Sequence, residues 1–167
     1  VSNTFSGTAR YKALKDLTLK AKFSYDDIRR RDAEEWDLPD RTTTKTASAS
    51  ADLKIKKNLK LKAGYTHKAT NSPATNIEPD TSDAGEVSVS WMPVQKINTF
   101  LGYCIKDGER DELHYLDTEA ADKRRVNQKR ILGSITFLPL KALSLTASYF
   151  YLNDKTQQDI EYHNTAG

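Results

Sequence analysis

The chain has 167 residues, a formal net charge of +3 and a mean hydropathy of −0.71, and 29% of its residues are charged. It has no apolar run long enough for a membrane helix, and its small net charge gives no reason to expect a nucleic-acid partner. Cys104 is the only cysteine, which excludes an internal disulfide and a multi-cysteine metal site, and without a Cys-x-x-Cys-His motif the chain attaches no c-type haem. No metal site is predicted, since the three histidines are isolated from one another.

A strand–turn–strand unit occurs four times along the chain, at intervals typical of repeats. The short turns are predicted at 14–16, 56–58, 94–96 and 140–142. An apolar residue follows each turn, and six residues later the side chain is always aromatic. The four apolar–aromatic pairs are Leu17 and Phe23, Leu59 and Tyr65, Ile97 and Tyr103, and Leu143 and Tyr149.

Side chains alternate strictly within each unit, with the period of a strand. One face of each predicted strand is apolar over about nine residues, as from Leu17 to Tyr25, and the opposite face carries Lys, Ser and Thr. A soluble antiparallel sheet can show the same alternation. Nine residues also match the length that a tilted strand needs to cross a bilayer.

Two further patterns favour a membrane barrel over a soluble sheet. Short turns alternate with three long polar loops, at about 26–46, 68–84 and 106–130, and aromatic residues lie at the ends of the apolar columns, as in the two girdles of outer-membrane barrels. The predicted girdle residues are Tyr11, Phe23, Tyr25, Tyr65, Trp91, Tyr103, Phe137, Tyr149 and Tyr151.

The sequence therefore predicts an all-β fold, a transmembrane antiparallel up-and-down β-barrel with eight strands in a single segment, residues 1–167. Both ends of the chain fall on the long-loop side, which leads us to expect that these strands form part of a larger barrel. A complete, closed eight-stranded barrel is the alternative architecture. The predicted location is the bacterial outer membrane, with the long loops outside the cell.

The four hairpins resemble the large barrels of porin–cytochrome conduits, in which a barrel sheathes a decahaem cytochrome. The resemblance lies in the unit Leu-x-Leu-x-Ala-x-Tyr after a Pro-Leu-Lys turn, best seen from Phe137 to Tyr149, and in charged loops such as 122–130. It implies a Gram-negative electron-transfer or porin function, in which any haem belongs to a partner cytochrome.

The polar face of the first four strands is basic, and its side chains are predicted to form one wall of the lumen. These residues are Arg10, Lys12, Lys20, Lys22, Lys54, Lys60 and Lys62, set against Asp52. Lysine and arginine patches favour anions in pores. Phe100, Cys104, Leu138 and Phe150 fall on the same side and suggest contact with a plug or partner.

Three functions are open: a transport pore or cytochrome sheath, a structural or adhesive surface barrel, and an outer-membrane enzyme. The expected partners are the lipid bilayer and a cytochrome or plug in the lumen. An enzyme is not predicted, because nothing in the spacing of Ser148 and His67 recommends them as nucleophile and base.

Overall fold

The computed structural model describes residues 1–31, 39–73, 78–110, 122–140 and 142–160. These residues form eight β-strands in a single sheet. The strands are β1 (Ser2–Leu14), β2 (Leu17–Arg29), β3 (Arg41–Lys56), β4 (Leu59–Asn71), β5 (Thr81–Val94), β6 (Ile97–Arg110), β7 (Asp122–Leu140) and β8 (Leu143–Ile160).

Every strand pairs antiparallel with its neighbour in sequence, so the order in the sheet is β1 to β8 without a crossover. The predicted eight-stranded, antiparallel, up-and-down arrangement is confirmed. The alternative of a closed eight-stranded barrel is not what the structure shows, because β1 and β8 are the two edges of an open sheet.

The register is offset regularly from one hairpin to the next. One row of paired residues runs through Leu17, Leu53, Leu61, Val89, Leu101, Gly133 and Tyr149. Leu17 is the first residue of β2, Leu61 the third of β4, Leu101 the fifth of β6 and Tyr149 the seventh of β8. The turn of each hairpin thus lies two residues further from this row than the turn of the hairpin before it. A regular stagger of this kind accompanies strand tilt in barrels.

The strands extend further than predicted, so the predicted loop boundaries are wrong. The loops were predicted at 26–46, 68–84 and 106–130, and strands occupy 26–29 and 41–46, 68–71 and 81–84, and 106–110 and 122–130 of these ranges. Residues 32–38, 74–77 and 111–121 lie outside the described residues. The apolar alternation, which sets the predicted strand ends, stops before the strands do. Pairing continues beyond that point because polar cross-strand contacts, such as the 3.1 Å ion pair of Arg125 with Glu109, replace apolar ones.

In the described part of the chain, each strand contacts only its neighbours in sequence, and no second layer covers the sheet. Large apolar side chains are therefore open to the surroundings, including Leu101 at 58% and Ile135 at 56% relative exposure. Among the described residues, no helix is long and apolar enough to span a membrane.

Candidate functional site: the two faces of the sheet

Residue parity assigns the side chains to the two faces of the sheet. Apart from shifts beside the four hairpin turns, every register pair joins two odd or two even residue numbers. Since successive side chains point to opposite faces, one face carries the odd residues and the other the even residues. We call these the odd face and the even face.

The odd face carries all nine aromatic residues of the predicted girdles. Eight of them are exposed, from Phe137 at 42% to Tyr11 at 67%, and Tyr25 is half-buried. Leu, Ile, Val, Ala and Gly occupy the odd positions between the aromatic residues, as in the row from Leu17 to Tyr149. Large exposed apolar surfaces of this kind mark contact with a membrane or another protein.

The apolar part of the odd face ends at polar clusters on the loop side. The Tyr65 hydroxyl donates a hydrogen bond to Asp83 Oδ1, and His67 Nδ1 lies 2.8 Å from the same oxygen. Asp107 pairs in register with Asp83, one strand further along the sheet. The odd face therefore changes from aromatic to charged within two residues of Tyr65.

Another charged cluster lies at the loop end of β2 and β3. Arg41 donates from Nε and Nη2 to the two carboxylate oxygens of Asp27, at 2.9 and 3.1 Å. Asp27 is buried, with 8% exposure. These hydrogen bonds from Arg41 hold the pKa of Asp27 below its ordinary value, and burial opposes the shift only in part.

All seven residues of the predicted basic wall lie on the even face. Two of them are neutralised by carboxylates on neighbouring strands, Lys20 by Asp52 and Lys62 by Glu86, each at 2.5 Å. The sequence pattern did not single out Glu86 as a partner of these lysines. Its even number in an alternating strand would have placed it on the same face as the lysines. Gly64 leaves room for it, because a Cβ there would lie 3.1 Å from the Glu86 side chain.

Five of the seven residues line one concavity of about 560 Å³ near the turns: Arg10, Lys12, Lys54, Lys60 and Lys62. Lys20 and Lys22 do not line it. Lys15 and Asp16 of the first turn, Thr18, Ser88 and Ser90 contribute further polar groups, and Phe100 forms part of the wall. The structure thus brings most of the predicted basic residues together.

Apolar side chains form a smaller patch on the even face of β6 to β8. Leu132 pairs in register with both Gly102 and Phe150, and Leu132 and Phe150 are exposed at 43% and 56%. The Phe100 ring lies over Gly102, where a Cβ would come within 3.2 Å of it. Cys104 lies beside this patch, 3.8 Å from Arg130 Nη2.

Residues of the β4–β5 connection lie against the even face at the loop end. Ser72 has a positive φ of 51°, and its carbonyl oxygen accepts a 2.8 Å hydrogen bond from Thr42 Oγ1. Thr42, Thr70 and Ser82 are buried there. All three are on the even face, so the described residues at this end of the connection lie on the side of the even face.

Glu78 and Pro79 hold the other end of this connection. Lys68 binds Glu78 Oε1 at 2.7 Å, and Arg110 Nη1 donates to the Glu78 carbonyl oxygen at 3.1 Å. A Cβ added at Gly108 would lie 3.2 Å from the side chain of Pro79. Glycine at 108 therefore permits close approach of the connection to the even face.

The structure does not bring Ser148 and His67 together, and the described residues hold no metal-ligand cluster. Ser148 and His67 lie on opposite faces of the sheet, and no group of three or more His, Cys, Asp and Glu side chains within the described ranges could hold a metal ion. No protein-family model and no curated protein matches the chain. The two faces of the sheet are consequently the candidate functional surfaces.

Proposed function

We propose that the sheet is part of the wall of a transmembrane β-barrel of the bacterial outer-membrane type. The odd face contacts lipid, the even face lines an aqueous lumen, and the three longer connections lie outside the cell. In this arrangement the barrel acts as a pore for small, preferentially anionic solutes.

The observation that supports the proposal most directly is the angle between the apolar band on the odd face and the hydrogen-bonded rows of the sheet. Phe23, Tyr65, Tyr103 and Tyr149 are each the seventh residue of their strand, so the aromatic margin keeps a constant distance from the turns. The hydrogen-bonded rows instead move by two residues per hairpin. The aromatic margin is therefore oblique to the rows.

The angle between strands and band follows from standard sheet dimensions. A shift of two residues, about 6.6 Å, over two strand spacings, about 9.6 Å, tilts the strands by about 35° from the normal of the band. Transmembrane barrel strands tilt by roughly 35–45°. Nine residues at this tilt rise about 22 Å, close to the roughly 25 Å apolar band of such barrels.

The two edges of the sheet bear on how the wall is completed. In hydrocarbon, unpaired backbone groups along β1 and β8 would each cost several kcal/mol. The proposed wall therefore continues through additional strands that pair with both edges. A lumen wider than that of an eight-stranded barrel also leaves room for water around the lysines of the even face.

Anion preference is supported by the charge of the even face. The basic concavity lies near the turns. At the opposite, loop end of the even face, Ser72, Glu78 and Pro79 lie against the sheet. In a barrel, these described ends of the connection would narrow the lumen. Solutes would then pass the narrowed end and the basic wall in sequence, and the basic wall favours anions.

Fluorescence quenching in liposomes tests which face meets lipid. Trp91 lies on the odd face, and Trp36→Phe leaves it as the sole tryptophan. We expect brominated acyl chains to quench Trp91 strongly and aqueous iodide to quench it weakly. The matched control is Phe100→Trp with both native tryptophans replaced by Phe, for which iodide should be the stronger quencher. Equal response of the two proteins to brominated lipid would contradict the proposal.

Conductance across planar bilayers tests the pore. Reversal potentials in a salt gradient should show anion preference, and charge-neutralising changes on the even face should reduce it. A protein that inserts, as judged by Trp91 quenching, but conducts no ions would contradict the pore while leaving the membrane wall intact.

A second candidate function, the sheath of an electron-transfer cytochrome, is favoured by the apolar patch of Phe100, Leu132 and Phe150 on the even face. Exposed apolar side chains in a lumen suit a protein partner better than open water. Purification from the native membrane with a Soret absorption band would support the sheath, and its absence together with anion conductance would support the pore.

A further inference from the structure

The basic concavity on the even face is built from several separate strands. Its cationic lining comes from β1, the first turn, β3 and β4, and Ser88 and Ser90 of β5 extend it. A volume of about 560 Å³ falls within the range of small-molecule sites. The size favours a small solute over a protein surface.

The charges of the concavity are not balanced within the described residues. Of its cations, Lys62 is paired with Glu86, and Asp52 is already bound by Lys20. No carboxylate of the described residues lies within ion-pair distance of Arg10, Lys12, Lys54 or Lys60. Asp16 in the turn is the other carboxylate of the lining.

Like charges also lie directly opposite each other across the strands. Lys54 pairs in register with Lys60, and Arg10 pairs in register with Lys20. Directly opposed like charges destabilise a sheet. Lys54 and Lys60 both line the concavity, so an anion bound between them would offset their repulsion and would accept charge-assisted hydrogen bonds from both ammonium groups.

We propose that this concavity is a binding site for a small multivalent anion that carries phosphate or carboxylate groups. Lys54 and Lys60 hold one anionic group from the β3–β4 hairpin, and Arg10 and Lys12 hold another from β1. Thr18, Ser88 and Ser90 supply hydroxyl donors around them. The inference names the solute class of the proposed pore, and it rests on that proposed function for the route by which the solute arrives.

Equilibrium binding to the detergent-solubilised full chain tests the site without requiring conductance. Tripolyphosphate and citrate are titrated calorimetrically at low ionic strength, with sucrose as the uncharged probe. We expect saturable binding of at least one anion, weaker binding at high salt because screening reduces charge attraction, and no binding of sucrose. The absence of binding for both anions would overturn the proposal.

Matched variants separate a built site from general charge. The double variant Lys54→Gln and Lys60→Gln should weaken binding at least about tenfold, whereas Lys22→Gln with Lys106→Gln removes the same charge from the even face outside the concavity and should change it little. Asp52→Asn, which releases Lys20, should tighten binding. Equal weakening by the two double variants would show a diffuse charge effect and overturn the site.

The proposed anion site and the proposed membrane wall can be refuted independently of each other. Lipid quenching of Trp91 with no anion binding would refute the site and keep the wall. Anion binding with no lipid quenching would keep the site and refute the lumen through which the solute was proposed to arrive.

Discussion

Phe23 and Lys155 lie in the same row of paired residues, although one is an aromatic residue of the apolar band and the other is charged. The row passes from Phe23 through Ala47, His67, Asp83, Asp107 and Asn127 to Lys155. The row is thus apolar at Phe23 and Ala47 and polar or charged from His67 onward. The boundary of the apolar band crosses the rows at an angle, as it would where tilted strands leave a bilayer.

The first prediction compares two adjacent residues at the middle of the band. Ala147 is the fifth residue of β8 on the odd face, and Ser148 follows it on the even face; both are exposed. Ala147→Arg should lower the free energy of unfolding in liposomes by about 2–4 kcal/mol, because arginine at the bilayer midplane is costly. Ser148→Arg should change it by less than about 0.5 kcal/mol, as for an exposed surface position.

Denaturant titration of the two liposome-inserted variants provides the measurement. Since both positions are exposed in the isolated sheet, a surface in water would tolerate both changes. Matching small effects at Ala147 and Ser148 would therefore count against lipid contact.

The second prediction concerns the approach of the β4–β5 connection to the even face. Gly108→Val places atoms where Pro79 lies and should displace the connection. The Thr70 amide, which donates to the Asp80 carbonyl oxygen at 2.7 Å, should then exchange its hydrogen faster. Gly7→Val adds the same side chain to β1, where a Cβ would meet nothing within 4 Å, and should leave Thr70 unaffected. If amide hydrogen exchange at Thr70 were unchanged in both variants, the position of Pro79 would not depend on glycine at residue 108.

The third prediction is a pH dependence that arises from Asp27. Its pKa is held below the ordinary value of 3.8 by Arg41, so the folded state binds a proton less readily than the unfolded state. The stabilisation is complete above the unfolded pKa and is lost as pH falls through the lower, folded pKa. The stability difference between the wild type and Asp27→Asn should therefore be constant near neutral pH and shrink below about pH 4.

Unfolding midpoints across the acidic range measure this effect. Asp26→Asn, one residue away on the even face, provides a control for the loss of a carboxylate without the Arg41 contact. A difference between wild type and Asp27→Asn that stays constant down to pH 2 would contradict a role for the Asp27–Arg41 pair.

The local sequence was sufficient to predict the hairpins and the two faces. Strict alternation around Leu17, Leu59, Ile97 and Leu143 identified all four hairpins, and parity assigned each of the seven basic residues to one face, because a strand has only two faces. The strand ends were not predictable in this way. Beyond Tyr25 and Ile105 the odd positions turn polar, while pairing continues through contacts such as Arg125 with Glu109.

Contacts that depend on register were also beyond the sequence pattern. Glu86 meets Lys62 because β4 and β5 are aligned so that Lys62 lies opposite Ser88, and Gly64, opposite Glu86, leaves space for the side chain. Pro79 reaches Gly108 across a strand pair in the same way. Neither contact leaves a periodic signal in the chain, since each depends on which residues face one another across neighbouring strands.

Lipid contact by the odd face is tested most directly by spin labels placed singly along β8 from Leu143 to Tyr151 in a Cys104→Ser background, in liposomes. Accessibility to oxygen, which concentrates in lipid, and to a water-soluble nickel chelate is measured at each position. We predict a period of two, with odd positions accessible to oxygen and even positions accessible to nickel. Nickel accessibility that is equal on both faces, or higher on the odd face, would contradict the transmembrane wall.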